Sequence, residues 1–89
     1  MTREGWHKTA ELVTSLSPMQ KKIVALLAEG YNAKNIAILL GRKRPTISNQ
    51  LSHACRKTGA NGQAHLVSLA YQSGELPITY FDELVRLFG

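Results

Sequence analysis

Apolar side chains recur along this sequence at intervals of three and four residues, the spacing of one face of an α-helix. The clearest stripe joins Ile47, Leu51, Ala54 and Cys55. Pro45 precedes it, and proline is tolerated in the first turn of a helix because its missing N–H is not needed there. The pattern therefore predicts a helix over residues 45–57.

The side of this helix that faces away from the stripe is polar. Asn49, Ser52 and Arg56 share that side, and Ser48 and His53 flank it. Such side chains hydrogen-bond the edges of bases and the oxygens of phosphates. We therefore interpret the segment as a DNA-recognition helix.

Start and stop signals divide the rest of the chain into further helices. Ser17 and Gln20 have the spacing of a capping box, and Gly30 ends the helix that they begin. A short helix follows at residues 33–40, and Gly41 opens a turn of roughly three or four residues into the recognition helix. This arrangement is typical of a helix-turn-helix. Apolar stripes predict additional helices at residues 3–14, 63–71 and 79–88.

The elements together predict an all-α protein, and 89 residues suit one domain with a modest core. We divide that domain into a helical extension at residues 1–15, a helix-turn-helix core at 16–72, and a linker with an amphipathic helix at 73–89.

The charge of the chain is unevenly distributed. Its net charge is +5, and all six acids lie at or before Glu29 or at or after Glu75. One-sided positive charge on a small domain is typical of a surface that binds a polyanion such as nucleic acid. No apolar run approaches the roughly 20 residues that span a bilayer, and no signal peptide is visible, so we expect a cytoplasmic protein without membrane contact. The cations between the two groups of acids are Lys34, Arg42, Lys43, Arg44, Arg56 and Lys57.

The sequence offers no pattern for catalysis or for metal binding. His7, His53 and His65 lack the spacing of metal ligands, and no nucleophile is paired with a base. Cys55 is the single cysteine and lies on the apolar stripe, where we expect a buried structural thiol. We therefore expect neither an enzyme nor a cofactor or metal site.

Residues 16–71 resemble the LuxR/GerE-type helix-turn-helix domain. The resemblance implies a four-helix DNA-binding domain that regulates transcription in bacteria or their phages and plasmids, usually as a dimer through the fourth helix. This chain would add a short helix at each end, and its length predicts a stand-alone form. The matching motifs are LSP at 16–18, LLAEG at 26–30, NAKNIAILLG at 32–41, TIS at 46–48, RKTGA at 56–60 and AHLVSLAY at 64–71.

The resemblance also implies which residues contact DNA. Ser48, Asn49 and Ser52 occupy the base-reading positions of the third helix. The phosphate contacts would come from polar and basic residues around that helix, namely Lys34, Arg42, Lys43, Arg44, Thr46, His53, Arg56 and Lys57.

The chain departs from the family pattern at several positions. Arg42 and Lys43 stand where an apolar residue and a Ser or Thr cap are usual. Gln20 replaces a usual Glu, and Thr58 replaces a usual Leu. Ile38 and Leu39 are apolar where charged residues are typical, and we expect a flanking helix to bury them.

Two functions remain open at this point. The first is a sequence-specific regulator that binds double-stranded DNA as a homodimer and places the helix at 45–57 in the major groove. The alternative is an interaction module that binds and titrates another LuxR-type regulator or RNA polymerase. Exposed Ile38 and Leu39 would favour the alternative.

The helix at 79–88 is too short to persist alone in water and must pack against something. One candidate surface is its own domain, either over Ile38 and Leu39 or beside the amino-terminal helix. The other is a partner subunit, which we favour because the fourth helix leads directly into this tail. The predicted dimer interface comprises Leu66, Val67, Tyr71, Phe81, Leu84, Val85 and Phe88.

Overall fold

The computed structural model describes residues 16–77 and 79–88, with the side chains of the last two residues left out. These ranges contain α-helices and no strand, which confirms the prediction of an all-α fold. The helix predicted at 3–14 lies outside the described residues. The helices are α1 (Pro18–Ala28), α2 (Ala33–Leu40), α3 (Arg44–Thr58), α4 (Gln63–Gln72) and α5 (Tyr80–Phe88).

The predicted capping residues are found at both ends of α1 and at the start of α2. The Ser17 hydroxyl accepts the Gln20 N–H at 3.1 Å, and the Gln20 side chain accepts the Ser17 N–H at 3.0 Å, which completes the capping box. Gly30 adopts a φ of 97° after α1, and the Asn32 side chain accepts the Asn35 N–H at 2.8 Å to begin α2.

A turn of three residues connects α2 to α3. Gly41 has a φ of 64°, a left-handed conformation that glycine adopts without the strain a Cβ would bring. The Arg42 N–H then donates to the Ala37 carbonyl at 2.9 Å, so the turn folds back onto the last turn of α2. This geometry sets the direction in which α3 leaves, and α3 begins at Arg44, one residue earlier than predicted.

The core forms where α3 packs against α1, α2 and α4. Ile47, Leu51 and Ala54 are all buried there, which confirms the apolar stripe of the predicted recognition helix. Cys55 is only half-buried at the edge of the core, so the prediction of a fully buried thiol is corrected. Its partial burial raises the pKa of the thiol above the usual value. The other buried apolar residues are Leu16, Ile23, Val24, Ala25, Leu26, Ile36, Ala37, Leu66, Ala70, Leu76 and Leu84.

Thr58 ends α3 inside the core, at the position where the family usually has Leu. Its hydroxyl donates to the Ala54 carbonyl at 2.9 Å. A buried hydroxyl without a partner would destabilise the fold, so this bond inside the same helix explains how Thr is accommodated.

The tail packs against α1 of its own chain. Leu76 and Leu84 are 1% and 3% exposed, and both belong to the same core as the stripe of α3. The Glu75 carboxylate lies 3.5 Å from the Lys21 ammonium on α1, which adds a polar contact between the linker and that helix. Leu84 is therefore a core residue of the described chain, although it belongs to the predicted dimer interface.

The described residues do not bury Ile38 and Leu39 as expected, and the amino-terminal candidate for covering them lies outside those residues. Ile38 is 70% exposed and Leu39 is 41% exposed. Among the described helices, α5 contacts α1 and does not reach α2, so it cannot cover these two side chains.

Replacing Leu84 with Ala should destabilise the whole domain, because its side chain fills part of the shared core. We expect the free energy of unfolding in urea to fall by about 2–5 kcal/mol. Val85→Ala is the matched control, since Val85 is 46% exposed on the same helix and should change that energy by less than about 0.5 kcal/mol. Equal effects of the two substitutions would show that α5 is not docked through Leu84.

Candidate nucleic-acid interface

Helix α3 exposes the side that faces away from its buried stripe. Successive residues turn by about 100° in an α-helix, so the exposed positions between Ile47 and Thr58 gather on one surface. We call this surface the recognition face. It consists of Ser48, Asn49, Ser52, His53 and Arg56, all of which are exposed.

Basic side chains lie at both ends of the recognition face. Arg42 and Lys43 lie in the turn before α3, Arg44 is its first residue, and Lys57 lies in its last turn beside Arg56. All of them are exposed. Lys34 and Thr46, the remaining predicted phosphate contacts, are exposed in the first turns of α2 and α3. The structure thus places every predicted DNA-contact residue on the surface.

The amino-terminal end of α3 is strongly positive. Lys43 occupies the N-cap position with β-region dihedrals, but its side chain makes no cap hydrogen bond, unlike the caps of α1 and α2. The first turn of α3 contains no acidic residue. Because the aligned peptide dipoles add partial positive charge at this end, the helix and the neighbouring cations act on an anion together.

Two hydrogen bonds between α1 and α3 were not predicted. The Gln20 Nε2 atom on α1 donates to the Gln50 Oε1 atom on α3 at 3.2 Å, and the Lys57 ammonium donates to the Gln20 Oε1 atom at 3.3 Å. Gln20 is 5% exposed and Gln50 is half-buried. The only signal in the sequence was the polar side chain of Gln20 in a helix with a strong apolar stripe.

The residues of the predicted dimer interface are spread over two helices. On α4, Leu66 is fully buried in the core, whereas Val67 and Tyr71 are half-buried at its edge. Burial, and then the charge of Glu29, raise the pKa of the Tyr71 hydroxyl. On α5, Phe81 is half-buried and Val85 is exposed.

The side chain of Phe88 lies outside the described residues. Among the described helices, α4 and α5 do not contact each other. The outer side of α4 is therefore not covered by α5.

Two further properties of the described residues bear on other functions. No described helix combines the length and apolar character needed to cross a bilayer. In the same part of the chain, no three His, Cys, Asp or Glu side chains are grouped where they could hold a metal ion.

Comparison with known proteins identifies the family. No curated protein and no solved structure was found to match the sequence. The model of the GerE family, described as bacterial regulatory proteins of the luxR family, matches residues 14–70, more than half of the chain. The match includes all of α1, α2 and α3 and most of α4, with the turn and the recognition face. The chain therefore belongs to the LuxR family of bacterial regulatory proteins, a family of helix-turn-helix proteins that bind DNA and regulate transcription.

Proposed function

We propose that this protein is a sequence-specific regulator of transcription that binds double-stranded DNA with α3 in the major groove. The observation that carries the proposal is the two-sided character of α3. One side is buried against three helices, whereas the other is exposed, polar and basic. No carboxylate occurs in the sequence between Glu29 and Glu75, so this surface carries no acidic side chain that would repel phosphate.

Ser48, Asn49 and Ser52 are the proposed base contacts. The amide of Asn49 can donate and accept at once, which suits the N6 and N7 atoms of adenine in the major groove. The two serine hydroxyls can donate or accept. Because all three side chains are short, the backbone of α3 would have to enter the groove deeply to bring them to the base edges.

The basic residues around the recognition face are the proposed phosphate contacts. Lys34, Arg42, Lys43, Arg44 and Thr46 lie at the amino-terminal ends of α2 and α3. The other end of α3 contributes His53, Arg56 and Lys57. Contacts of this kind set the orientation of the protein on the duplex and make binding strongly dependent on salt.

A homodimer would place two copies of α3 in successive major grooves. The half-buried side chains of Val67 and Tyr71 border the outer side of α4, which α5 leaves uncovered. We propose that α4 forms the centre of the dimer and that exposed Val85 extends the contact. Leu66 and Leu84 would support this surface from the core. We also propose that the tail is part of one domain with the helix-turn-helix, because Leu76 and Leu84 share its core.

A second candidate function rests on exposed Ile38 and Leu39. Apolar side chains on the outside of α2 fit a module that binds another LuxR-type regulator or RNA polymerase. Ile38 lies one turn after Lys34 on α2 but carries no charge or hydrogen-bonding group, so Ile38→Ser should leave DNA affinity unchanged while a recognition-face variant lowers it. An Ile38→Ser protein with weakened binding to duplex DNA would show that the two surfaces are not separate.

Selection from random duplexes should recover a preferred site, and substitutions should then separate base contacts from phosphate contacts. Asn49→Ala should relax the preference at one base position and weaken binding to the selected site by roughly 1–3 kcal/mol. Arg44→Ala and Lys34→Ala should weaken binding to selected and random duplexes alike, and each should reduce the salt slope by about 0.9. If all three variants lose affinity equally on both kinds of DNA, the base contacts are misassigned. If the unaltered protein binds no duplex at low salt, the proposed function fails.

The missing side-chain cap of α3 gives a prediction in which stability and DNA binding change in opposite directions. Lys43→Ser should stabilise the fold by no more than about 0.5 kcal/mol, because the Thr46 N–H already donates to the Lys43 carbonyl at 3.0 Å and the new hydroxyl would only share it. The same substitution should weaken DNA binding, because it removes a cation. Lys43→Ala is the matched control and should weaken binding equally without the gain in urea stability. Unchanged DNA affinity in both variants would remove Lys43 from the interface.

The dimer can be tested through the spacing of the selected sites. A symmetric dimer should recover two half-sites whose centres lie roughly 10 to 10.5 base pairs apart, or a multiple of that. Inserting about five base pairs turns the second half-site to the opposite side of the helix and should reduce the affinity to that of a single half-site. Tight binding to an isolated half-site, with no effect of spacing, would show that the protein acts as a monomer.

A further inference from the structure

Gln50 lies on the side of α3 that faces α1, next to the recognition face. Thr46 precedes it by one turn and His53 follows it by nearly one turn, so the three side chains share one flank of the helix. Thr46 and His53 are both exposed. Gln50 is half-buried because one end of its amide contacts Gln20 on α1. The other end is directed away from that contact.

The orientation of the Gln20 amide is determined by two donors. The Ser17 backbone N–H lies 3.0 Å from the Gln20 Oε1 atom, and the Lys57 ammonium lies 3.3 Å from the same atom. A backbone N–H and an ammonium can only donate, so the atom between them has to be the oxygen. The Gln20 Nε2 atom is therefore the one that faces Gln50.

This orientation in turn determines which end of the Gln50 amide is free for other contacts. The Gln20 Nε2 atom is a donor, so the Gln50 atom 3.2 Å away has to be the acceptor, Oε1. The Nε2 group of Gln50, which carries two N–H donors and no acceptor, then lies on the side away from Gln20. Gln50 can thus offer hydrogen-bond donors, but not its acceptor, to a molecule that lies against the recognition face.

We propose that Gln50 is a further DNA-contacting residue, which donates a hydrogen bond to an acceptor atom of DNA, and that buried Gln20 sets this polarity without touching DNA. The inference rests on the proposed function of α3. The acceptor is either a phosphate oxygen or an acceptor at a base edge in the major groove, such as O6 or N7 of guanine or O4 of thymine. Gln20 is then a positioning residue that acts through Gln50.

Gln20→Glu tests this relay directly. Both oxygens of the introduced carboxylate accept hydrogen bonds, so the Ser17 N–H and the Lys57 ammonium keep an acceptor. The carboxylate also forms an ion pair with Lys57, which supports the fold. Gln50 must then turn its amide over to donate to the carboxylate, which presents its oxygen to DNA. We expect urea stability equal to or above that of the unaltered protein, together with DNA affinity about tenfold lower. A residue that only braced the two helices would change stability and DNA affinity in the same direction.

Gln50→Met supplies the other arm of a double-mutant cycle. Methionine has a similar length but no donor, so we again expect about a tenfold loss of affinity for the selected site. The added negative charge in Gln20→Glu would weaken DNA binding by itself, and it would do so in either background. Through the relay, by contrast, Gln20→Glu acts only when Gln50 is present. In the Gln50→Met background only the charge effect remains, so Gln20→Glu should cost less affinity there than it costs in the unaltered protein.

The outcomes separate the inference from the proposed function. Failure of the unaltered protein to bind any duplex overturns both. If it binds, unchanged affinity in Gln50→Met, or a loss in Gln20→Glu that persists undiminished in the Gln50→Met background, overturns the relay alone. A loss that is equal on selected and random duplexes assigns the acceptor to a phosphate, and a loss confined to the selected site assigns it to a base.

A measurement on the unaltered protein keeps the inference testable if Gln50→Met does not fold. The side-chain amide protons of Gln50 should shift in a nitrogen–proton correlation spectrum when the selected duplex is added, and their exchange with water should slow. Gln72 provides an internal control, because its amide is exposed and lies on α4 rather than on α3. It donates to the Ser68 hydroxyl of the same helix. Equal behaviour of the two side chains would overturn the proposal.

Discussion

The one-sided burial of α3 is the constraint on which the rest of this structure depends. Ile47, Leu51 and Ala54 are covered by three different helices, and burial of each large apolar side chain contributes roughly 1.5–3 kcal/mol. The other side of α3 contributes no side chain to the core. The residues on this side can therefore vary without loss of core packing, and their polar and basic character suits contact with DNA.

Charge and capping at the start of α3 oppose each other. A Ser or Thr at the N-cap would offer a side-chain acceptor to the Thr46 N–H, as Ser17 does to the Gln20 N–H in α1. In α3 the Thr46 N–H donates to the Lys43 carbonyl instead. The chain has Lys43 at this position and two arginines beside it, which increases the positive potential instead. The amino-terminal end of α3, which would contact phosphate, is thus less stable than it could be, and this is consistent with selection for DNA binding.

The tail stabilises the domain on a side that α3 does not use. It packs on α1 and makes no contact with α3 among the described helices. Asp82 and Glu83 lie in the first turn of α5, where the helix dipole favours negative charge, and Glu75 pairs with Lys21. The acids of this end therefore lie away from α3, and the surface of the helix-turn-helix between Glu29 and Glu75 carries no acidic side chain.

Local signals in the sequence were sufficient for much of this description. Ser17, Asn32 and Gly41 mark helix ends through bonds to residues only a few positions away, so their patterns transfer directly to the structure. The stripe of α3 was equally predictable, because a helix buries residues at a regular spacing.

What the sequence did not predict are mainly contacts between residues far apart in the chain. The docking of Leu84 on α1, the exposure of Ile38 and the bond from Gln20 to Gln50 depend on how helices pack. Periodicity gives the apolar side of α5 but does not say which surface covers it. It also shows Gln50 on a flank of α3 without showing that a residue of α1 orients its amide.

The central claim is that the exposed side of α3 binds DNA, and a titration monitored by nuclear magnetic resonance tests it most directly. Duplex DNA carrying a selected site would be added to isotope-labelled protein at low salt, and the shift of every backbone amide would be followed. The account predicts the largest changes in the turn at residues 41–43 and along the recognition face, with α5 nearly unaffected. Changes centred on Ile38, Leu39 and α5, or no change at any residue, would contradict it.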